Sequence, residues 1–479
     1  MKIFGKDILS DDIDKGLIRI GHLGFLVYLL FTYIFYKERL INSDAAYYTF
    51  HMINFEEVFV KHNRYISYFT QWLPLLLIDM GASLKSILQS YSVIFGVWFY
   101  LLFLINVYVF KSAKGGLLLL IALVLTMRYK FYAGHTEITF AIAVATTLYN
   151  WIALDKNKIT WHNQWISTLL VVLFSAWLYI IHPIIIVPLI AMLIYNVLDS
   201  NRWKDFCNWG HIGIIVFSFF MRFMYVMDDG YESKKVSFIS DFPKVFFNPH
   251  DHHVFSIIQD YALFYINIAI LAFIISLVVM HKHKKILQVA YLIATSVGLL
   301  ALVILAHAYL RADILIMIDG YIGMFGMIWG LAIIKALELK ELGAHVKLLL
   351  LGLLLSICFV QIYMKHDFFE QRHIYQKTHM KNYLALGQSK TLIKLDKFNW
   401  EKLWYPYEFP HETIMISALD EDMEPASIFV DYDGKNVDEY LEKDYTMLAF
   451  YGNCGLNPKF FKLPKQKYIR VDDNLPWND

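Results

Sequence analysis

Eleven long apolar runs dictate what this chain can become, because roughly 17 to 25 consecutive apolar residues match the hydrocarbon thickness of a bilayer. They fall at about 17-36, 86-110, 115-130, 138-154, 166-181, 183-198, 211-227, 260-280, 286-306, 314-336 and 347-364. Of the 479 residues, 58% are hydrophobic and 17% aromatic, well above the share in a soluble globular chain. The sequence therefore predicts an all-α polytopic membrane protein with about eleven transmembrane helices over residues 1-364. The first run follows a polar, mixed-charge start and lacks a small-residue cleavage site, so it is expected to remain as an anchor rather than be removed as a signal peptide.

Charge narrows the partners. The net charge is only +1, without the basic excess by which a nucleic-acid binder neutralises phosphates, so membrane lipids are expected and nucleic acid is not. Cys207, Cys358 and Cys454 are widely spaced and form no CxxC, which argues against a disulfide framework and a cysteine metal site. No Walker A sequence and no GxGxxG occurs, so nothing calls for a nucleotide.

Orientation follows from the short loops. Lys111 and Lys114, Lys156 and Lys158, Arg202 and Lys204, the "HKHKK" cluster, and Lys340 with Lys347 alternate onto one side, which the positive-inside rule makes cytoplasmic together with the N-terminus. A bacterial inner (plasma) membrane is the expected setting. The opposite side receives Asp44, Glu137, His182, Arg311 and the tail, along with the contrary basic residues Lys37, Arg39, Lys61, Arg64, Arg128 and Lys130.

Residues 365-479 hold no further span and read as a small soluble domain on that outer side. "KTLIKLD", "TIMISAL", "SIFVDY", "TMLAFY" and "KYIRVD" are short runs with β-branched or aromatic content between polar, Pro or Gly positions, which predicts a mostly β domain. "NVDEYLEK" reads as its helix and "YGNCGLNP" as a loop. In the first outer loop Tyr48, Met52, Phe55 and Phe59 recur at helical spacing, as in a helix lying in the membrane interface. "SYFTQWLPLLLIDMG" is apolar, short and contains Pro74, which suits an interfacial or re-entrant piece.

Candidate chemistry sits on the outer side. Asp44, in "INSDAAYY", is either a solvated or helix-capping acid or a functional carboxylate, since an acid at a hydrocarbon boundary is costly unless it is solvated, paired or used. Glu137, in "YAGHTEITF", either favours a helix N-terminus or pairs with Asp44 in one cavity, where two carboxylates can divide base and orienting roles. His135, His182 and His307 with Arg311 are candidates to hold phosphate oxygens or move protons, against local roles at a helix break for His182 and snorkelling or pairing with Asp313 for Arg311. Arg64 and Lys130 are similar candidates or plain interfacial cations. "NPHDHH" lacks helical ligand spacing, so no metal site is assigned. Gly323, Gly326 and Gly330 suit close helix packing.

The first span, "INSDAAYY" with the helices after it, "NRYISYFTQWLPLLLIDMGASLKSILQSYSVIFG" and "GHTE" together resemble the GT-C superfamily of membrane glycosyltransferases, over about the first 150 residues. The resemblance implies a GT-C-like module at 1-364, with an extracytoplasmic domain at 365-479. It implies transfer of a sugar from a polyprenyl-phosphate donor to a glycan, lipid or protein acceptor, with inversion. Asp44 would be the base and Glu137 the second acid, while Arg311, His182, His307, His135, Arg64 and Lys130 would serve the substrate phosphate. No nucleotide is needed and no cofactor is assigned, although a divalent cation is compatible with two acids; the family's adjacent acid pair is absent, since Ala45 and Ala46 follow Asp44. An O-antigen ligase or polysaccharide polymerase resting on His307 and Arg311, and a transporter or flippase, are the alternative readings.

Overall fold

The computed structural model describes residues 12-61, 65-134, 137-153, 163-200, 203, 206-227, 243, 247, 253-307, 315-339, 342-394, 406-431, 441, 444, 446-448 and 455-471. His135, Arg64, Arg311, most of "NVDEYLEK" and His250 to His252 lie outside these residues.

Helices form at each apolar run. They are α1 (Asp12–Ile34), α2 (Tyr36–Leu40), α3 (Ser43–Phe55), α4 (Ser67–Asp79), α5 (Leu84–Leu104), α6 (Ala113–Val124), α7 (Glu137–Ala153), α8 (Gln164–Ile181), α9 (Ile186–Ser200) and α10 (Phe206–Met227). After them come α11 (His253–Asp260), α12 (Asn267–Lys282), α13 (Ile286–His307), α14 (Leu315–Leu339), α15 (Ala344–Tyr363) and α16 (His366–Ala385). Seven helical stretches among the described residues are long and apolar enough to cross a membrane, or eight if α11 and α12, bent by 79°, count as one broken span. Eleven runs thus become helices, but α6 and Trp209–Met224 of α10 are shorter apolar segments.

Local chemistry sets several helix starts. Ser83, Ser112 and Asn163 accept the amides of Ser86, Gly115 and Ile166, satisfying donors that a helix N-terminus leaves open. The bundle is built around α6, α7 and α14, and 78% of the apolar window of α14 is buried. Its glycines make this possible: a Cβ on Gly326 would lie 2.6 Å from the Ala122 carbonyl oxygen, and one on Gly330 would lie 2.9 Å from Ile121, so only hydrogen lets α14 settle on α6. Outer surfaces expose Leu23, Leu26 and Leu30 of α1, Ile274 and Ile275 of α12, and Leu349 and Leu353 of α15, as helices solvated by lipid do.

The two ends of the bundle differ. At one end Asp199 binds Lys285 (3.1 Å) and Lys335 (3.0 Å), and Glu338 binds Lys114 and Lys335. At the other end basic residues are committed to structure. Arg39, fully buried, donates to the Ser92 hydroxyl and the Phe131 carbonyl and lies over the Phe131 ring. Arg128 donates to the carbonyls of Val124, Leu125, Met127 and Tyr265 and to Gln361, capping the C-terminal turn of α6. Its own amide and that of Lys130 donate to the buried Asp319 carboxylate, which also accepts the Tyr261 hydroxyl. These arginines are local caps, which explains why they interrupt the loop-charge pattern.

The tail corrects one expectation: its described residues are not mostly β. α16 continues from α15 after a short turn, and α17 (Phe409–Leu419) occupies the "TIMISAL" stretch expected as a strand. The sheet has three parallel strands in the order β2-β1-β3, namely β1 (Lys390–Lys394), β2 (Ser427–Asp431) and β3 (Ile469–Arg470). Lys390 pairs with Ser427 and Thr391 with Ile469. Parallel strands need crossovers, and α17 supplies part of one from β1 to β2. "TIMISAL" became helix because α17 lies between β2 and α3 and is buried all round, from Phe409 to Ser417, where apolar content without alternation fits a helix.

Candidate functional site

α3 is clasped by the tail. Its N-cap is Asn42, whose side chain donates to the Glu38 carbonyl and to the Tyr132 carbonyl at 3.0 Å. Ser43 follows with φ +48°, a left-handed conformation that costs a non-glycine residue free energy unless its surroundings enforce it. Enforcement comes from Glu412 of α17, whose Oε1 accepts the Ser43 amide at 2.6 Å. Glu412 is in turn held by Arg372 of α16, through contacts of 3.0, 2.9 and 2.7 Å, and by Gln376, with both charged side chains 0% exposed. Burial pushes the Glu412 carboxyl up, while the guanidinium, the Ser43 amide and Gln376 pull it back.

At the far end of α3, Asn54 donates to the Gly455 carbonyl at 3.0 Å and accepts the Asn457 amide at 2.8 Å, the Asn457 side chain donates to Glu56, and Lys459 binds Glu56 at 2.7 Å. Protein covers part of the apolar face of α3: Tyr48 and Met52 are buried and Phe50 stacks on Phe461, while Phe55 stays exposed.

Asp44 occupies the first turn of α3 and is exposed. It is not the N-cap; Asn42 is. Next to it the turn at Pro406–Glu408 and the start of α17 pack on α3 and bring up Glu408 and His411, both sealed from solvent. Glu408 Oε2 and His411 Nδ1 are 3.4 Å apart, yet among the described residues neither atom has a hydrogen-bond partner, nor does His411 Nε2. Burial pushes the Glu408 carboxyl well above the usual range, and the charge of Asp44 adds to this. Burial holds His411 well below the usual imidazole range, and His51 falls to about 4 by burial and the nearby Lys61. Burial thus favours the protonated form of Glu408 and the uncharged form of both imidazoles next to Asp44. His411 packs on the rings of Tyr47, Phe50 and His51, and the Lys61 ammonium sits 4.2 Å from the centre of the Tyr47 ring.

A second group gathers at the same end around Tyr321 of α14. The His307 ring meets Tyr321 edge-on at 4.6 Å and the His182 ring does so at 6.4 Å. His307 Nδ1 donates to the Val303 carbonyl at 2.8 Å. His182 Nδ1 accepts the Ile184 amide, so the neutral ring carries its proton on Nε2. A Cβ on Gly320, the neighbour of Tyr321, would lie 3.2 Å from both the Lys130 side chain and Ile138, the residue after Glu137. Three of the candidates, Lys130, His182 and His307, thus converge on the start of α14. The Gly134 amide donates to the Arg39 carbonyl at 2.7 Å, tying the loop before α7 to the segment that leads into α3.

Asp44 and Glu137 each have a distinct electrostatic neighbour. Asp44 acts on Glu408, whereas Glu137 lies near Tyr91. Sequence reading missed Glu408, His411 and Glu412, although "YEFPHE" concentrates two acids and a histidine around one proline in an otherwise apolar stretch. Among the described residues the group of ligand atoms close enough to hold a metal ion is His366, Asp367 and Glu370, not the surroundings of Asp44. Comparisons with protein-family models, with curated proteins and with solved structures gave no match.

Proposed function

We propose that this protein is a membrane glycosyltransferase of GT-C type, with up to eleven spans, acting at the extracytoplasmic face of a bacterial inner membrane. The carrying observation is that an exposed Asp44, on a helix start pinned by Glu412, shares one end face with the imidazole and lysine cluster at Tyr321. The donor is a polyprenyl-phosphate sugar and the acceptor a hydroxyl of a cell-envelope glycan, lipid or protein. Asp44 takes the acceptor proton as the hydroxyl oxygen bonds to the anomeric carbon with inversion. The bond from that carbon to the phosphate oxygen breaks, and its electron pair leaves with the lipid phosphate. Lys130, His182, His307 and Arg311 offset the charge that grows there. Glu137 lies beside the reacting end and orients substrate. No step needs a metal.

The loop charges support a cytoplasmic N-terminus, and the contact between tail and α3 supports a tail on the same side as Asp44. Wild type and Asp44→Asn protein in lipid nanodiscs, given labelled polyprenyl-phosphate sugars and an acceptor screen, test the reading. Loss of roughly 10²- to 10⁴-fold in turnover is expected for the Asn variant. Undiminished transfer by that variant would remove Asp44 as base, and transport without transfer by wild type would replace the enzyme with a flippase.

A further inference from the structure

Where α15 turns into α16, three side chains of metal-ligating type gather on the first turn of α16. They are His366, Asp367 and Glu370, and one ligand atom of each lies within 4.8 Å of the others. The two acids alone would be ordinary, since a helix N-terminus favours negative charge. The imidazole changes the reading. Its Nδ1 donates to the Tyr363 carbonyl at 2.7 Å, which leaves the lone pair of the neutral ring on Nε2. Nε2 lies 3.1 Å from Asp367 Oδ1 and 3.6 Å from Glu370 Oε2. Three acceptors thus face one another, an arrangement that is favourable only with a proton or a cation between them. The ring is also held in place, packed on Phe35 at 5.1 Å and on Tyr363 at 4.9 Å. A carbonyl bound by the far nitrogen is how metal-ligating histidines are commonly oriented.

The spacing and charge suit a metal ion. An ion held tetrahedrally at about 2.0–2.1 Å keeps its ligand atoms roughly 3.3–3.4 Å apart, between the 3.1 and 3.6 Å found here. Two carboxylates and a neutral imidazole carry two negative charges, which a divalent cation cancels. Imidazole with carboxylate suits zinc and its first-row neighbours, whereas calcium and magnesium take oxygen ligands.

A third acid stands close by. Burial pushes the Glu38 carboxyl of α2 up, and the Glu370 charge adds to this while His366 opposes it. His366, Glu370 and His373 recur at i, i+4 and i+7 and so share one face of α16. That face meets α2, and His373 Nε2 donates to the Ile41 carbonyl at 2.8 Å. A cation at His366 therefore relieves repulsion between α16 and α2, just ahead of the turn that carries Asp44.

We propose that His366 Nε2, Asp367 and Glu370 bind one divalent transition-metal ion, zinc by this ligand set, and that the ion fastens α16 to the segment leading into α3. Water completes the tetrahedron. The ion is structural, takes no part in the transfer step, and does not rest on the glycosyltransferase reading.

Zinc titration of metal-stripped, tag-free full-length protein in detergent, in competition with a chromophoric chelator, tests the site. One ion per chain is expected, with at least tenfold weaker affinity in His366→Gln and in Glu370→Gln. Glu370 is half exposed, so its substitution carries the test if His366→Gln fails to fold. Asp44→Asn should bind as wild type does, which separates this site from an ion at the outer acids. Cobalt in place of zinc should give the strong visible absorption of a four-coordinate centre, lost in both ligand variants. Saturating zinc should slow hydrogen exchange of the peptide covering 36-44 in wild type and leave it unaltered in Glu370→Gln. No stoichiometric uptake by wild type overturns the site and makes the cluster a protonated imidazole between two acids. Binding that survives both ligand substitutions, or that is lost in Asp44→Asn, overturns it as well. Uptake that leaves exchange over 36-44 unchanged overturns the fastening role.

Discussion

Replacing Glu412 by Gln isolates the interaction that joins the tail to α3. The change keeps shape and one acceptor oxygen but removes the charge opposite Arg372, whose guanidinium is 0% exposed. Removing one member of a buried, hydrogen-bonded pair leaves an uncompensated charge and costs about 3–5 kcal/mol. At about 1.4 kcal/mol per factor of ten, the docked state should lose roughly two to four orders of magnitude in its equilibrium with an undocked one. The place to read this is the Ser43 amide, which donates to Glu412, and the Ala46 amide, which donates to Asn42. Hydrogen exchange of the peptide covering 41-50 in detergent-solubilised protein should accelerate by a comparable factor, while peptides from the middle of α14 stay protected. The double variant Arg372→Met, Glu412→Leu removes both charges and keeps volume, so it should recover most of the protection, because apolar replacement of a buried pair is often neutral. Wild-type protection in Glu412→Gln would refute the reasoning, as would a double variant as loose as the single one.

Three further outcomes are expected. Glu408 carries a raised native pKa, so it holds a proton that the unfolded chain releases; stability tied to it is complete at low pH and is lost as pH rises above the ordinary value of 4.5. Glu408→Gln should therefore flatten the melting temperature on the alkaline side and leave it unchanged below about pH 4, by about 1.4 kcal/mol per unit of raised pKa. His51 acts in the opposite sense: its native pKa of about 4 lies below 6.5, so the stability it contributes is present above pH 6.5 and is lost as pH falls towards 4, and His51→Phe should remove that acid-side slope. Asp319→Leu strands the Arg128 and Lys130 amides inside the bundle at about 1–3 kcal/mol each, which should lower the melting temperature in detergent far more than Asp319→Asn does.

What the sequence revealed was hydropathy. Eleven runs became helices, the glycines of α14 mark its contact with α6, and "KTLIKLD" and "SIFVDY" became adjacent strands, because these features act through local pattern. "TIMISAL" misled because a short apolar run that is buried all round reads alike as strand or helix, and α17 is such a run. The clasp on the start of α3 was hidden for a different reason: Glu412 lies 369 positions from Ser43, and a contact at that range leaves no periodicity to read. Arg39 and Arg128 obscured topology in the same way, since a cation spent on carbonyls looks identical in sequence to one facing a lipid headgroup.

The clasp on α3 also places the protein in time. Asp44 leaves the ribosome early, but the carboxylate that fixes Ser43 follows 369 residues later, which at 5–20 residues per second is a wait of roughly 20 to 70 s. Throughout that interval helices can enter the bilayer while the turn that carries Asp44 lacks its anchor. Entry of the apolar helices into a bilayer and fixation of this turn become separate events in biosynthesis. A stop codon anywhere before α17 would give a protein that inserts without acquiring a fixed Asp44.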